Sequence, residues 1–267
     1  MSNIFTTRLG SLQRSAPRAK PTLDSCYFYH FYDLDDGVVV GGPDPAFDLR
    51  GRFNEYIGGY NLKGKTVFDF GTASGFLAFS AEAAGAVSVT AFETSSFYVQ
   101  DRIPHANYQY LDDKVAWANV QHPGFLKMHN SFWYMWHQFN SKVGMVYGSN
   151  QDLILTHEKF DVVIAGAVME HIGDPVTALG LCARLAKESI ILAFTPVFLE
   201  DDEYMKPLVP WTSEANAFVW WGLSKGLYDR LLTNLGFKIE YIPVTADLVD
   251  GQTRTTIPRQ TIIARRI

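Results

Sequence analysis

The stretch "FDFGTASGF", residues 68–76, decides how the chain folds: two glycines, Gly71 and Gly75, stand among small side chains directly between two apolar runs. Ahead of it, "KTVFDF" has the length and apolar content of a short buried strand. Behind it, "SGFLAFSAEAAGA" has the apolar spacing of a helix that stops at Gly85. Strand, tight turn and helix therefore follow one another. At such a junction small residues let the backbone approach a ligand closely, and the first helical turn presents unpaired N–H groups to it.

Outward from this turn the same alternation continues. "VSVTAF" (residues 87–92), "VGMVYG" around Met145, "FDVVIAGA" from Phe160 and "SIILAF" (residues 189–194) read as further strands, with two more near residues 238–244 and 260–265. Asp174 and Pro175 open a helix between the fourth and fifth strands, as N-cap and first-turn residue, and "SKGLYDRLLTNLGF" reads as a helix stopped by Gly236. Helices alternating with strands predict a Rossmann-like α/β fold: a seven-stranded, mostly parallel sheet with helices on both faces. Between Glu93 and Val143 the connection runs to about fifty residues, far more than one loop and helix need, so an aromatic-rich insert over about 97–140 is expected after the second strand. It holds Tyr98, Tyr108, Tyr110, Trp117, Phe132, Trp133, Tyr134, Trp136 and Phe139. These aromatics fit packing onto the domain, a homodimer face, or a lid over a substrate. The domain division is an N-terminal arm and lid over 1–58 and the α/β domain over 59–267.

Spacing narrows the ligand. A dinucleotide fingerprint needs G-x-G-x-x-G, whereas Ala73 stands at the middle position here and Phe76 and Leu77 follow Gly75. Asp69, two residues before the first glycine, would repel a pyrophosphate but attract a cationic amino group. S-adenosyl-L-methionine carries an ammonium and a sulfonium and no phosphate.

With these residues in view, "VFDFGTASGF" resembles the first motif of class I S-adenosylmethionine-dependent methyltransferases, D-x-G-x-G-x-G, with Ala73 for the middle glycine. The resemblance implies a donor site of Asp69, Gly71, Ala73, Gly75 and Glu93. Glu93 lies 24 positions after Asp69 at the end of the second strand, where its carboxylate would accept from the ribose hydroxyls. It places Ser149 or Asn150 of "YGSN" against the adenine, in place of the usual aspartate. It also places Ala165, Glu170 and His171 of "FDVVIAGAVMEHIGDP" beside the methyl donor. "YHFYDLDDGVVVGGPDPAFD" and "NAFVWWGLSKGLYDRLLTNLGF" are similar at pattern level to the methyltransferase-like family that includes the tRNA wobble-uridine carboxymethyltransferases, whose extra basic donor-holding residues have no match here.

Methyl transfer needs a nucleophile aligned behind the sulfonium methyl, and a base where the acceptor is a hydroxyl or protonated nitrogen. His171, on the loop at the carboxyl edge of the sheet, is the first candidate base, against a bracing role; His30 in "CYFYHFY" is the second. Tyr29, Trp133, Trp136, Glu170, Trp220 and Trp221 are candidate acceptor contacts, although packing explains aromatic residues equally well. His105, His122, His129, His137 and His157 show no metal-ligand spacing, so no metal is expected.

Composition bounds the partners. Lys and Arg number 23 against 28 Asp and Glu, a net charge of −5, which argues against nucleic acid. Cys26 and Cys182 form no C-x-x-C pair, no apolar run approaches the ~20 residues of a membrane span, and a cytoplasmic protein is expected. The first 23 residues hold no acid, but without amphipathic spacing they read as a flexible arm rather than a transit peptide. The expected function is methyl transfer from S-adenosyl-L-methionine to an oxygen or nitrogen of a small aromatic or heterocyclic acceptor. The alternatives are a tRNA-modifying methyl or carboxymethyl transferase and a non-enzymatic donor-binding protein.

Overall fold

The computed structural model describes residues 10–42, 45–100, 114–208 and 219–267. His105, Tyr108 and Tyr110 of the insert lie outside the described residues. The chain opens with β1 (Tyr32–Asp33), β2 (Val39–Val40), β3 (Ala46–Asp48), α1 (Phe53–Tyr56), β4 (Thr66–Phe70), α2 (Phe76–Ala83) and β5 (Ser88–Thr94). A 25-residue helix, α3 (Lys114–Gln138), leads to β6 (Gly144–Gly148), α4 (Asn150–Ile154), β7 (Phe160–Gly166), α5 (Pro175–Leu185) and β8 (Ala186–Thr195). After β9 (Val197–Phe198), β10 (Met205–Pro207) and β11 (Trp221–Ser224) come α6 (Lys225–Asn234) and the long strands β12 (Phe237–Asp250) and β13 (Thr253–Arg266).

The main sheet runs β3-β12-β13-β8-β7-β4-β5-β6, with β8, β7, β4, β5 and β6 mutually parallel and the β3–β12, β12–β13 and β13–β8 pairings antiparallel. The α/β fold is as expected, but among the described residues the sheet has eight strands rather than seven. The additional edge strand, β3, comes from the N-terminal arm, where three residues are too few to show a period. The expected arm–domain boundary at 58 also cuts through packing. Phe28, Tyr32, Leu34 and Leu49 share a core with α2 and the sheet, and the Tyr32 hydroxyl donates to the Ser74 carbonyl at 2.8 Å. Nor does the described part of the acid-free arm hang free: Ser15 N–H donates to Met145 O at 2.7 Å, and Arg14 pairs with Glu158 at 2.8 Å.

Strand alternation sorts the apolar residues into two layers. Val67, Val162, Ile164 and Ile191 face α2 and the second half of α3, whereas Phe68, Val163, Ile190 and Leu192 face α5 and α6. The helices start where expected. Asp174 accepts from Thr177 N–H at 3.0 Å with Pro175 in the first turn, and Ser224 caps α6 through Leu227 N–H at 3.2 Å. The described insert divides: the second half of α3 packs into the core, with Phe132 and Trp133 buried against α2 and the sheet, whereas Phe97, Val99, Gln100, Phe125 and Met128 line a cavity.

Candidate active site

The glycine turn is built by backbone strain and two anchors. Gly71 has φ +80° and a Cβ there would come within 2.9 Å of Val168 Cγ2, so only glycine lets the turn lie flush against the loop after β7. Gly71 and Thr72 N–H groups both donate to Phe92 O, at 3.0 and 2.9 Å, tying the turn to β5. Gly75, at φ +93°, stands in a different role: it caps α2, and a Cβ would run into the rings of Phe79 and Phe132. From the arm, His30 N–H donates to Ser74 Oγ at 3.4 Å.

Two carboxylates define the electrostatics here. Glu93 accepts from Ala73 N–H (2.9 Å) through one oxygen and from the Thr94 N–H (2.9 Å) and hydroxyl (3.2 Å) through the other. Burial raises its pKa, and those hydrogen bonds oppose the rise. Asp69 is fully buried beneath the turn and neither oxygen has a hydrogen-bond partner. Burial pushes its carboxyl up to about 7, the nearby Thr72 hydroxyl opposing and the Glu93 charge adding to the shift.

The turn and Glu93 border a cavity of about 590 Å³ at the carboxyl ends of β4, β5 and β7, where ligands bind in open α/β sheets. Gly71, Ala73, Glu93 and Asn150 line it on one side. Tyr29, His30, Glu170 and His171 line it as well, so eight of the expected site residues converge. Glu170 is 5% exposed and its Oε2 has no hydrogen-bond partner; burial raises its pKa, with the neighbouring His171 the largest opposing influence. His30 is 7% exposed, its Nδ1 has no partner, and burial drops its pKa to about 3, so it faces the cavity as a neutral imidazole.

The other expected residues stand elsewhere. Asp69 lies under the turn and Gly75 caps α2, both apart from the cavity wall, and Ala165 is buried in the α5–α6 layer. Ser149 is spent on capping α4, its N–H and hydroxyl both on Asp152 Oδ2 at 2.7 and 2.9 Å. Trp133 is 1% exposed in the core, and Trp136 donates its indole N–H to Val143 O at 3.1 Å; neither borders the cavity. Trp220 and Trp221 are also absent from the cavity wall but brace it: Trp220 N–H donates to Glu170 O at 2.6 Å and the Trp221 indole to Gly173 O at 3.1 Å. Between them they hold the turn bearing Glu170 and His171.

Sequence reasoning missed Phe47, Phe194, Leu248 and Arg259, which also line the cavity. Three non-glycine residues with left-handed backbone do so too: Ala73 (φ +50°), Ala167 (φ +50°) and Phe194 (φ +56°). Such strain is maintained only where surroundings over-determine it, commonly at functional sites. Phe194 is held by Tyr56, stacked at 5.5 Å, and by Phe47, edge-on at 5.4 Å.

The residues present fit the donor that the turn motif implies. The cradle at Gly71 has no room for a Cβ, Glu93 has lone pairs left for a diol, and orphaned carboxylate oxygens on Asp69 and Glu170 lie under and in the cavity. Three buried carboxylates against one lining guanidinium favour a ligand carrying positive charge. Among the described residues no cluster of His, Cys, Asp and Glu could hold a metal, and no helix is long and apolar enough to cross a membrane.

Residues 47–242 match the family model described as "Methyltransferase domain". No curated protein matches the chain. Among solved structures, the N-terminal domain of EvdMO1, determined with SAH and D-fucose, is 14% identical, covers 90% of this chain and 91% of its own, and superposes with TM-score 0.50. Magnesium protoporphyrin IX methyltransferase from Synechocystis PCC 6803 with bound SAH is 18% identical, with 82% of each chain covered and TM-score 0.48. A candidate RNA methyltransferase from Pyrococcus horikoshii, PH1948, is 12% identical over 80% of this chain and 84% of its own, with TM-score 0.48. The first of these likenesses establishes the fold.

Proposed function

The chain belongs to the methyltransferase-domain family and is an S-adenosylmethionine-dependent methyltransferase, and on that premise we propose that it methylates an oxygen or nitrogen of a small aromatic or heterocyclic acceptor. The observation carrying this reading is the single cavity that joins the Gly71–Glu93 cradle to a chamber walled by Tyr29, Phe47 and Phe194. When bound, the donor supplies an electrophilic methyl on a sulfonium. The chain's own residues do the rest. Glu93 would accept from the ribose hydroxyls, and the Gly71–Ala73 turn would hold the donor. The aromatic walls exclude water, which strengthens every polar interaction inside.

His171 is the group that takes the acceptor's proton in this scheme, because its turn lines the cavity and is braced by Trp220 and Trp221. His30 orders the wall instead: burial that drops its pKa to about 3 leaves a weak base. An acceptor with a phosphate backbone is poorly served, since Arg259 is the one Lys or Arg among the described lining residues. Transfer of labelled methyl to a panel of small phenols and N-heterocycles, set beside tRNA binding at low and moderate salt, tests the reading. Methylation of small acceptors without tight RNA binding supports it. Salt-sensitive submicromolar tRNA binding overturns it.

A further inference from the structure

The acceptor chamber contains a charged pair that the methyl transfer itself leaves unused. Arg259, on β13, reaches the cavity wall, and its buried Nε has no hydrogen-bond partner. Its Nη1 donates to the Pro258 carbonyl at 3.2 Å, and its guanidinium stands over the Phe194 ring at 5.6 Å. One terminal nitrogen is thereby committed and one face is covered by an aromatic ring. The Nε edge is left, and it is the edge of the guanidinium fork that meets a carboxylate with two parallel hydrogen bonds. Glu170, 5% exposed and lining the same cavity, presents an unpartnered Oε2, yet no ion pair closes between it and Arg259. Two opposite charges, each bordering one chamber and each with a buried orphaned atom, call for a ligand that satisfies both.

We propose that the acceptor is an aromatic carboxylic acid bearing a hydroxyl or amino group, its carboxylate held by Arg259 and its donor group directed at Glu170, with the ring between Tyr29, Phe47 and Phe194. This rests on the methyltransferase reading above and deepens it. The charge count selects a carboxylate over a phosphate: Arg259 is the only Lys or Arg among the described lining residues, His30 is neutral by burial, and the lining carboxylates Glu93 and Glu170 answer the donor's positive charge, so one negative charge on the acceptor has a partner and a second has none. A carboxylate on the donor's own amino-acid portion is the other source of the same chemistry, and the test separates the two.

The experiment uses the full chain saturated with S-adenosylhomocysteine and titrates it by calorimetry with benzoate, 4-hydroxybenzoate and anthranilate, each beside its neutral carboxamide. Binding of at least one carboxylate about 10- to 100-fold tighter than its amide is expected, from one charge-assisted pair. In Arg259→Gln that preference should vanish while S-adenosylhomocysteine affinity stays within about twofold, which also shows that the variant is folded. The wild-type comparison alone can overturn the proposal: equal binding of acids and amides, or no binding by any acid, defeats it. A loss of S-adenosylhomocysteine affinity of about tenfold or more in Arg259→Gln, with that variant still folded by circular dichroism, assigns the arginine to the donor and defeats it as well. Failure of the wild type to bind S-adenosylhomocysteine at all would refute the underlying methyltransferase reading, an outcome distinct from these.

Discussion

Asp69→Asn isolates the most unusual charge in the protein. Asp69 has no exposed surface and no hydrogen-bond partner, and burial lifts its carboxyl from an ordinary value of 3.8 to about 7. A carboxyl raised in the folded state binds its proton more tightly there than in the unfolded chain. Ionisation therefore opposes folding, and stability falls as pH climbs from about 4 and levels off only above about 7. About three pKa units at 1.36 kcal/mol each give a full penalty of about 4 kcal/mol, of which about 2.5 kcal/mol develops between about pH 5 and about pH 8. Asparagine keeps the shape and cannot ionise. Glu170, raised in the same direction, is present in both proteins and cancels in the comparison; Glu93, whose charge adds to the Asp69 shift, ionises more easily once that charge is gone, which acts in the same direction. Urea unfolding of the ligand-free protein and of Asp69→Asn across that range should show the variant gaining about 2.5 kcal/mol relative to the parent as pH rises. Curves that stay parallel would refute the reasoning, because they would mean that Asp69 ionises as it does in water.

Gly75→Ala places a methyl against the Phe79 and Phe132 rings at φ +93°, and the left-handed backbone and overpacking together should cost about 2–4 kcal/mol, read as a lower urea midpoint; an unchanged midpoint would show that the cap can relax. His171→Asn should lower single-turnover methyl transfer by about 10²–10⁴-fold with donor affinity nearly unchanged, whereas a raised donor dissociation constant at normal rate would mark a brace. The His30 imidazole, with its pKa near 3, should remain neutral in NMR spectra from about pH 8 down to about pH 5, and protonation near 6.5 would show a solvated ring.

Why some of this was legible in the sequence and some was not comes down to periodicity and locality. The strand–turn–helix at 66–83, the capped helix at 175 and the strand ending in Glu93 all announce themselves through neighbours in sequence, and all are found. Strand β3 did not, since three residues define no period and its pairing with β12 joins positions about two hundred apart. The aromatic insert was half legible for a related reason: Phe97 and Phe125 line the cavity, as the lid alternative expects, but Trp133 and Trp136 do not. Trp133 and Trp136 look like a lid by composition, but they lie on a helix whose second half faces α2 and the sheet, so their rings pack inward. Trp220 and Trp221 likewise support the Glu170–His171 turn through backbone and indole hydrogen bonds instead of meeting the acceptor. Arg259 and Phe194 were invisible because a lone arginine on a strand and a phenylalanine in an apolar run carry no local sign of a shared cavity, and a left-handed φ at phenylalanine has no sequence signature at all.

Calorimetric titration of S-adenosylhomocysteine into the wild type and into Glu93→Ala tests the central claim most directly. The Glu93 carboxylate organises the turn through Ala73 and Thr94 and is assigned the ribose hydroxyls. Its removal should weaken binding by about 10- to 100-fold in a protein that remains folded by circular dichroism. Unchanged affinity in a folded Glu93→Ala variant would contradict the placement of the donor at this turn.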